Sequence, residues 1–296
     1  MSLVLSETAS FLQDQTQRFA REKTPTSHFR SVRDSENPEC FDREIWKQMA
    51  EQGLSGILIP EEYGGSNFGL SGIGVVLQEL GRTLTPSPLF ATAVLGASLI
   101  SKLGTDEQKK KYLPEIVNGN LTCCFAFEEG PRHNPKISEV TAEKKGEKFL
   151  INGKKYFVVD GGFADLIIIA AKSSKGTSLF LAQKDSKGIE VKEAKMVDSR
   201  NSANILFTGL EINSENVLGE IDNAQDTIEE VLDIARAAIS AEMLGGALEA
   251  FEITVNYLKE REQFGVKIGS FQALQHRAAN MFTAVSYTHL TLPTNR

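Results

Sequence analysis

Residues 261–276 have the sequence REQFGVKIGSFQALQH, which interrupts a strongly periodic segment. Before it, apolar residues recur every three or four positions from Ile234 to Leu258, and this spacing predicts one long helix that starts near Ala224. An arginine, a Phe-Gly break and two glutamines then stand where a plain amphipathic helix would continue. A second helix, which Ser270 could cap, is expected to follow the break.

The last eleven residues, SYTHLTLPTNR, depart from this pattern. The helix that contains HRAANMFTAV is still in progress when Thr, Leu and Pro appear, without the residues that normally end a helix. We therefore expect residues 286–296 to be a tail foreign to the native protein and the chain to be truncated. Residues 222–285 would then form only part of a C-terminal helical domain.

Residues 1–119 have helical character. Asp42 can cap the helix FDREIWKQMAEQGL, and LFATAVLGASLISKLG follows the helix-starting residues Pro86 and Pro88. Thr105 and Gln108 have capping-box spacing, which favours a solvated helix for the neighbouring lysine run. The glycine-rich YGGSNFGLSGIG lacks the order of a phosphate loop or a dinucleotide motif, and is expected to be a flexible loop.

Residues 120–221 change to strand character. The runs LTCCFAFEE, EKFLINGKKYFVV, ADLIIIAAKS, TSLFLAQKD and ANILFTGLEI are short, rich in β-branched or aromatic residues, and separated by Gly, Asn, Asp and Ser. Asp160-Gly161-Gly162 is the clearest turn between two of them. The sequence thus predicts an α+β multidomain chain: a helical N-terminal domain, an antiparallel β middle domain and a partial C-terminal helical bundle.

Composition excludes several classes of function. The 296 residues carry a formal charge of -7 and a pI near 5.3, which argues against nucleic-acid or anionic-membrane partners. No run approaches the length of a membrane span. The cysteines (Cys40, Cys123 and Cys124) form no disulfide or zinc pattern, and the four histidines are scattered, so we expect no metal site and a cytoplasmic location.

The ordered set of motifs resembles the acyl-CoA dehydrogenase family of flavoenzymes across nearly all of residues 1–285. The blocks GILIPEEYGG, GTDEQKKKYLPEIVNG, FLINGKKYFVVDGGFADLIIIAAK and NSENVLG occur in the family's order, followed by YLKEREQFGVKIGSFQALQHRAANM. The resemblance implies FAD as cofactor. It also implies an acyl-CoA substrate, an electron-transfer flavoprotein as electron acceptor, and a homo- or hetero-oligomer of the same fold.

By position, the resemblance assigns cofactor contacts to the stretch that opens this section. Arg261 would reach the flavin pyrophosphate, usually of a neighbouring subunit, because a guanidinium is a planar and permanently charged donor. Phe264 and Gln272 would line the adenine and ribityl side, with Ile268 and Phe271 on the same turn. Without the resemblance, Arg261 would be a surface charge and Phe264 a core residue.

The middle domain supplies the remaining predicted cofactor contacts, and here the chain departs from better-known members. The flavin-contacting strand contains Phe125, Phe127 and Glu128, where Glu128 replaces a hydroxyl donor of the family. A second strand ends in Phe157-Val158-Val159 instead of Trp-Ile-Thr. Phe157 can still stack on a ring, but Val159 lacks the hydroxyl. These departures most resemble the small subunits of bacterial two-subunit acyl-CoA dehydrogenases.

The catalytic base is not identified. In the family it is a carboxylate usually located in the C-terminal helices, which here would lie beyond residue 285. A minority carry it just before the arginine matching Arg236, but this chain has Ala235 there. Arg236 itself matches a family position close to the active site, so it would support catalysis, or it would be a surface arginine with a surface partner. Two functions remain open: an FAD-dependent dehydrogenase, inactive as this fragment, or a structural partner subunit that contributes to a shared flavin site.

Overall fold

The computed structural model describes residues 5–134, 136, 137, 139–198 and 200–291, except the side chains of residue 195 and of residues 288–291. It confirms the mixed α+β class, with helical segments on either side of a β segment along the chain. Two compact units are present. Unit 1 combines the residues up to Arg30, Leu70–Thr85 and the residues from Arg236 onwards, and unit 2 combines Ser31–Gly69 with Pro86–Ala235.

Helices account for most of the N-terminal and C-terminal segments. Their bounds are α1 Glu7–Lys23, α2 Thr26–Asp34, α3 Arg43–Glu51, α4 Gly69–Thr83, α5 Ala97–Leu103, α6 Asp106–Val117, α7 Gln225–Glu260 and α8 Gln272–Thr291. A π-helical turn, Phe90–Gly96, leads directly into α5. The predicted caps are confirmed. Asp42 accepts the Glu44 N–H at 2.8 Å, and Thr105 and Gln108 form a reciprocal capping box before α6.

Unit 1 is a set of closely packed helices. Glu79 of α4 is buried and accepts hydrogen bonds from Gln13 and Gln17 of α1, at 2.8 and 3.2 Å. Helix α7 packs so closely on α4 that an ideal Cβ at Gly245 would lie 1.9 Å from the Gln78 carbonyl oxygen. The absence of a side chain at Gly245 therefore permits this helix crossing.

Unit 2 is organised around an eight-stranded sheet. The strands are β1 Cys123–Ala126, β2 Thr141–Lys145, β3 Lys148–Val159, β4 Leu166–Lys172, β5 Thr177–Gln183, β6 Ile189–Lys195, β7 Asn201–Asn213 and β8 Val217–Leu218. They run in the order β6-β7-β3-β2-β4-β5-β8, and β1 pairs with β4. Most pairs are antiparallel, but β1 and β2 each pair with β4 in parallel. Buried side chains such as Phe149, Phe180 and Phe207 fill the core.

The structure differs from the sequence predictions at three places. Residues from Gly69 within the expected glycine-rich loop belong to α4, because the helix buries Ile73, Val76 and Leu80, and about 1.5–3 kcal/mol for each outweighs about 1 kcal/mol per helical glycine. Strands β2 and β6 were not predicted, since their sequences TAEKK and IEVKEAK are charged.

The third difference concerns Ser270, whose hydroxyl donates to the Lys267 carbonyl at 2.7 Å instead of capping α8. Phe271 stands directly before α8, and its carbonyl accepts the Gln275 N–H. Helix α8 continues through the predicted tail as far as Thr291, and residues 292–296 of that tail lie outside the described residues. Among the described helices, none combines the length and apolar character needed to cross a membrane.

Candidate functional site

The predicted middle-domain residues lie on β1, its exit and the end of β3, and we refer to Phe125, Phe127, Glu128, Phe157 and Val159 as the strand set. Phe125 and Phe127 are buried, with ring centroids 5.4 Å apart. The exit of β1 is joined to β3 by a backbone hydrogen bond of 2.8 Å from Tyr156 N–H to the Glu128 carbonyl oxygen. The fold therefore brings the two predicted strands of the site together.

Glu128 is paired with a histidine that the sequence analysis treated as scattered. The side chain of Glu128 is 26% exposed, and its Oε1 lies 2.5 Å from His133 Nδ1. The imidazole also stands beside Phe127, with ring centroids 6.2 Å apart. The second oxygen of Glu128, Oε2, is buried and has no hydrogen-bond partner among the described residues. A buried acceptor without a donor suggests a place where a ligand could donate one.

Next to Glu128, Glu129 takes part in a second buried pair. Lys155 Nζ on β3 is 3.0 Å from Glu129 Oε1 and donates to the Phe127 carbonyl oxygen at 2.8 Å. Lys155 is 0% exposed. Burial lowers its pKa from 10.5 to about 8, although the nearby Glu129 and Glu128 carboxylates act in the opposite direction.

Phe157 stands at a β-bulge. The register between β3 and β7 shifts between Lys155 and Val158, so that Tyr156 and Phe157 oppose the single residue Asn204. Phe157 has φ +50° and is 54% exposed, and its N–H donates to Asn204 Oδ1 at 3.3 Å. An exposed aromatic ring on a left-handed backbone is unfavourable in isolation and often marks a functional position.

The residues predicted around Arg261 form a second group in unit 1, which we call the hairpin set: Arg261, Phe264, Ile268, Phe271 and Gln272. Helix α7 ends at Glu260, and strands β9 Glu262–Gln263 and β10 Val266–Lys267 make a tight hairpin. The hairpin turns at Phe264, with φ +56°, and Gly265, with φ +79°.

Short contacts hold the hairpin set together. The Ile268 N–H donates to the Arg261 carbonyl oxygen at 2.8 Å. The Phe264 and Phe271 rings pack edge to face, with their centroids 6.3 Å apart. Arg261 and Gln272 are exposed, and Phe264 is 91% exposed. The Phe-Gly break in the sequence thus produces a surface hairpin that presents an arginine beside two aromatic rings.

The remaining predicted positions do not supply a base. Arg236 is exposed on α7 and makes an interaction within the chain, while Ala235 is buried. Within the described residues, no three His, Cys, Asp or Glu side chains are grouped as a metal site.

The sequence analysis missed three residues: Glu129, His133 and Lys155. The pair Lys154-Lys155 is visible in the sequence, and of its two members Lys154 is half-buried and Lys155 is buried. The signal that could have found it is the alternation along β3, because Phe149, Ile151 and Lys155 are spaced by even numbers of residues and all three are buried.

Comparisons with known proteins agree with the motif order. Family models described as "Acyl-CoA dehydrogenase, N-terminal domain", "Acyl-CoA dehydrogenase, middle domain" and "Acyl-CoA dehydrogenase, C-terminal domain" match residues 6–120, 124–210 and 226–292. The 3-(aryl)acrylate reductase of Clostridium sporogenes is 30% identical, with 84% of this chain and 69% of that protein covered.

Two further matches are similar in extent. Mitochondrial isovaleryl-CoA dehydrogenase of Pongo abelii is 30% identical, with 93% of this chain and 66% of that protein covered. The structure described as "Electron transferring flavoprotein of Acidaminococcus fermentans: Towards a mechanism of flavin-based electron bifurcation" has a TM-score of 0.90 and 31% identity, with coverage of 99% of this chain and 79% of that chain. The chain spans about two thirds of the length of these curated relatives.

Proposed function

The chain belongs to the acyl-CoA dehydrogenase family, and we propose that it takes part in the FAD-dependent α,β-dehydrogenation of an acyl-CoA thioester. The observation that carries this proposal is Phe157. Its exposed ring is held at a β-bulge directly after the residue that bonds to the Glu128 backbone. The left-handed backbone at this position costs about 1–3 kcal/mol, and strain of this kind is typically found where a chain contacts a ligand.

The strand set fits the flavin ring system of FAD. Phe157 offers an aromatic face for stacking, and the unpartnered Glu128 Oε2 offers an acceptor for a ring N–H. The buried Phe125 and Phe127 rings would support this surface from beneath, and Val159 would contribute only shape. Compared with the family, Glu128 and Val159 lack a hydroxyl donor, which changes the hydrogen bonds available to the flavin. The aromatic face of Phe157 is still available for stacking.

The hairpin set fits the rest of the cofactor. Arg261 would hold the pyrophosphate through charge-assisted hydrogen bonds, each contributing about 1.5–3 kcal/mol where water is excluded. Phe264 and Phe271 provide an aromatic edge-to-face pair, which suits the adenine, with Ile268 and Gln272 beside it. The extreme exposure of Phe264 supports contact with a cofactor that a neighbouring subunit also binds.

The strand set and the hairpin set would hold FAD, which would supply the hydride acceptor for the β-carbon of the substrate. The chain's residues would orient and cover the ring through Phe157 and fix its hydrogen bonding through Glu128. A carboxylate base must remove the α-proton. Ala235 cannot do so, and Arg236 would have a supporting role.

A second candidate function is a non-catalytic partner subunit, similar to the small subunits of two-subunit family members. The observation that favours it is the combination of an anionic Glu128 and a donor-free Val159 at positions where the family has hydroxyls. In this role the chain would contribute Arg261 to a flavin site shared with a catalytic subunit of the same fold.

We also propose the partners that this function requires. An electron-transfer flavoprotein would accept the electrons, which the similar Acidaminococcus fermentans structure supports. A homo- or hetero-oligomer of the same fold would complete the site around Arg261. We propose a cytoplasmic location because Cys40, Cys123 and Cys124 are buried and form no disulfide with one another.

The test is visible absorption spectroscopy of the purified chain with FAD, followed by anaerobic addition of butyryl-CoA. Flavin that binds to the chain alone supports the dehydrogenase function even without bleaching, because no base is assigned to these residues, whereas flavin bound only after a catalytic subunit is added supports the partner function. No FAD binding in either preparation overturns both. Phe157→Leu should weaken FAD binding, and Phe11→Leu, which changes an exposed ring on α1, is the matched control.

A further inference from the structure

Lys155 is a buried cation that the proposed chemistry does not use. It is 0% exposed on β3, two residues before Phe157. Burying an ammonium group is costly unless its charge and its donors are satisfied. A neutral residue of similar size would pack in the same space without that cost. The presence of a lysine therefore points to a role beyond filling the core.

The partners of Lys155 join separate parts of the backbone. Its ammonium donates to the Phe127 carbonyl oxygen and to Glu129 Oε1. Glu129 in turn accepts the N–H groups of Glu139 and Val140, each at 2.9 Å. One buried ion pair thus ties β3 to the exit of β1 and to the chain just before β2.

Glu128 lies at the centre of this arrangement. Its two neighbours, Phe127 and Glu129, are both bonded to Lys155, and its own carbonyl oxygen accepts the Tyr156 N–H. The backbone of Glu128 therefore has little freedom to shift. Its carboxylate contacts His133. His133 lies in the chain between Glu129 and the two residues, Glu139 and Val140, whose N–H groups donate to the Glu129 carboxylate.

We propose that Lys155 and Glu129 form a positioning pair that sets the orientation of Glu128 and Phe157 toward the flavin. This inference rests on the proposed function. Lys155 does not contact the cofactor: it acts through the Phe127 carbonyl, the Glu129 carboxylate and the bulge that follows it on β3. Removing its charge should change the flavin's surroundings as well as the stability of the fold.

The test compares Lys155→Met with Lys148→Met. Both variants remove a lysine of β3 that pairs with a glutamate, but Lys148 is on the surface, 2.7 Å from Glu211. Lys155→Met should weaken FAD binding by about tenfold or more, the equivalent of one hydrogen bond to a charged group, and should shift the absorption bands of the bound flavin. Lys148→Met should alter neither quantity.

A pH titration of the wild-type chain needs no variant and remains informative if Lys155→Met does not fold. The folded-state pKa of Lys155, about 8, lies below its ordinary 10.5, so the folded chain loses this proton first. Stability contributed by this group therefore rises with pH between these values. The bound flavin spectrum should change with a midpoint near the lower value, and this change should be absent in Lys155→Met.

The outcomes separate the two ideas. A wild-type chain that binds no FAD, alone or with a catalytic subunit, overturns the proposed function and this inference with it. A wild-type chain whose bound FAD shows no spectral change with a midpoint near pH 8 overturns the positioning pair alone. The same holds if Lys155→Met folds and binds FAD with wild-type affinity and spectrum.

Discussion

The strand set and the hairpin set are built in opposite ways. Glu128 and Phe157 of the strand set are fixed by a buried ion pair, a backbone hydrogen bond and a β-bulge in the sheet of unit 2. The hairpin set is an exposed turn of unit 1, in which Phe264 is 91% exposed. The difference indicates that the proposed contacts to the flavin ring are preorganised, whereas we expect a bound cofactor or another subunit to cover the hairpin set.

The largest effect should come from the core beneath the strand set. Phe180 is fully buried and its ring lies 5.2 Å from that of Phe149. Phe180→Ala should lower the free energy of unfolding by about 3–5 kcal/mol and weaken FAD binding together with it. Thermal unfolding and FAD titration measure the two quantities. Phe11→Ala, on an exposed ring, should leave both unchanged. Loss of stability without any loss of FAD binding would contradict the preorganised character of the strand set.

The hairpin set should show the opposite behaviour. Arg261→Gln should leave thermal unfolding unchanged because the residue is exposed, yet reduce FAD affinity by about 1.5–3 kcal/mol through the lost charge-assisted bonds. Arg277→Gln, an exposed arginine on α8, is the control for a general charge effect. If both variants bind FAD equally well, the assignment of Arg261 to the pyrophosphate is wrong.

Local elements of the fold could be predicted from the sequence where local chemistry decides them, and were missed where burial decides them. The helix caps at Asp42 and Thr105 and the end of α7 before the Phe-Gly break follow from local chemistry, and the structure confirms them. Strand β6 was missed because its exposed, charged sequence lacks the apolar alternation of a half-buried strand. The helical start of α4 was missed because burial overrode the low helix propensity of glycine.

Long-range pairs were beyond the sequence entirely. Lys155 and Glu129 are separated along the chain and meet only because β3 lies beside the exit of β1. His133 and Glu128 are close in sequence, but the turn between them has no motif that predicts their contact. Positions along one element follow from local periodicity, whereas such contacts depend on register and on a bulge.

The support beneath the hairpin set can be tested through α7, which carries it. An ideal Cβ at Gly245 would meet the Gln78 carbonyl oxygen at 1.9 Å, so Gly245→Ala must push α7 and α4 apart. Overpacking of this kind costs about 1–3 kcal/mol, measured as a lower thermal midpoint. Gly74→Ala is the matched control. Gly74 is a helical glycine of α4 with open space around it, so its substitution should be neutral or slightly stabilising. Equal effects of the two substitutions would show that α7 and α4 tolerate separation.

The smallest effect is a gain within the strand set. Val159 has the shape of threonine without the hydroxyl, so Val159→Thr should tighten FAD binding by about 1 kcal/mol if its side chain faces the flavin. Its neighbour Val158 is buried and points to the opposite face of β3, so Val158→Thr should lower stability and give no gain in FAD affinity. Both variants add one hydroxyl to the same end of β3, so a difference between their FAD affinities must come from the face of the strand on which the hydroxyl lies. If Val159→Thr binds FAD no better than the wild type, the side chain at position 159 does not face a hydrogen-bonding group of the flavin. Stacking by Phe157 is tested separately, by Phe157→Leu.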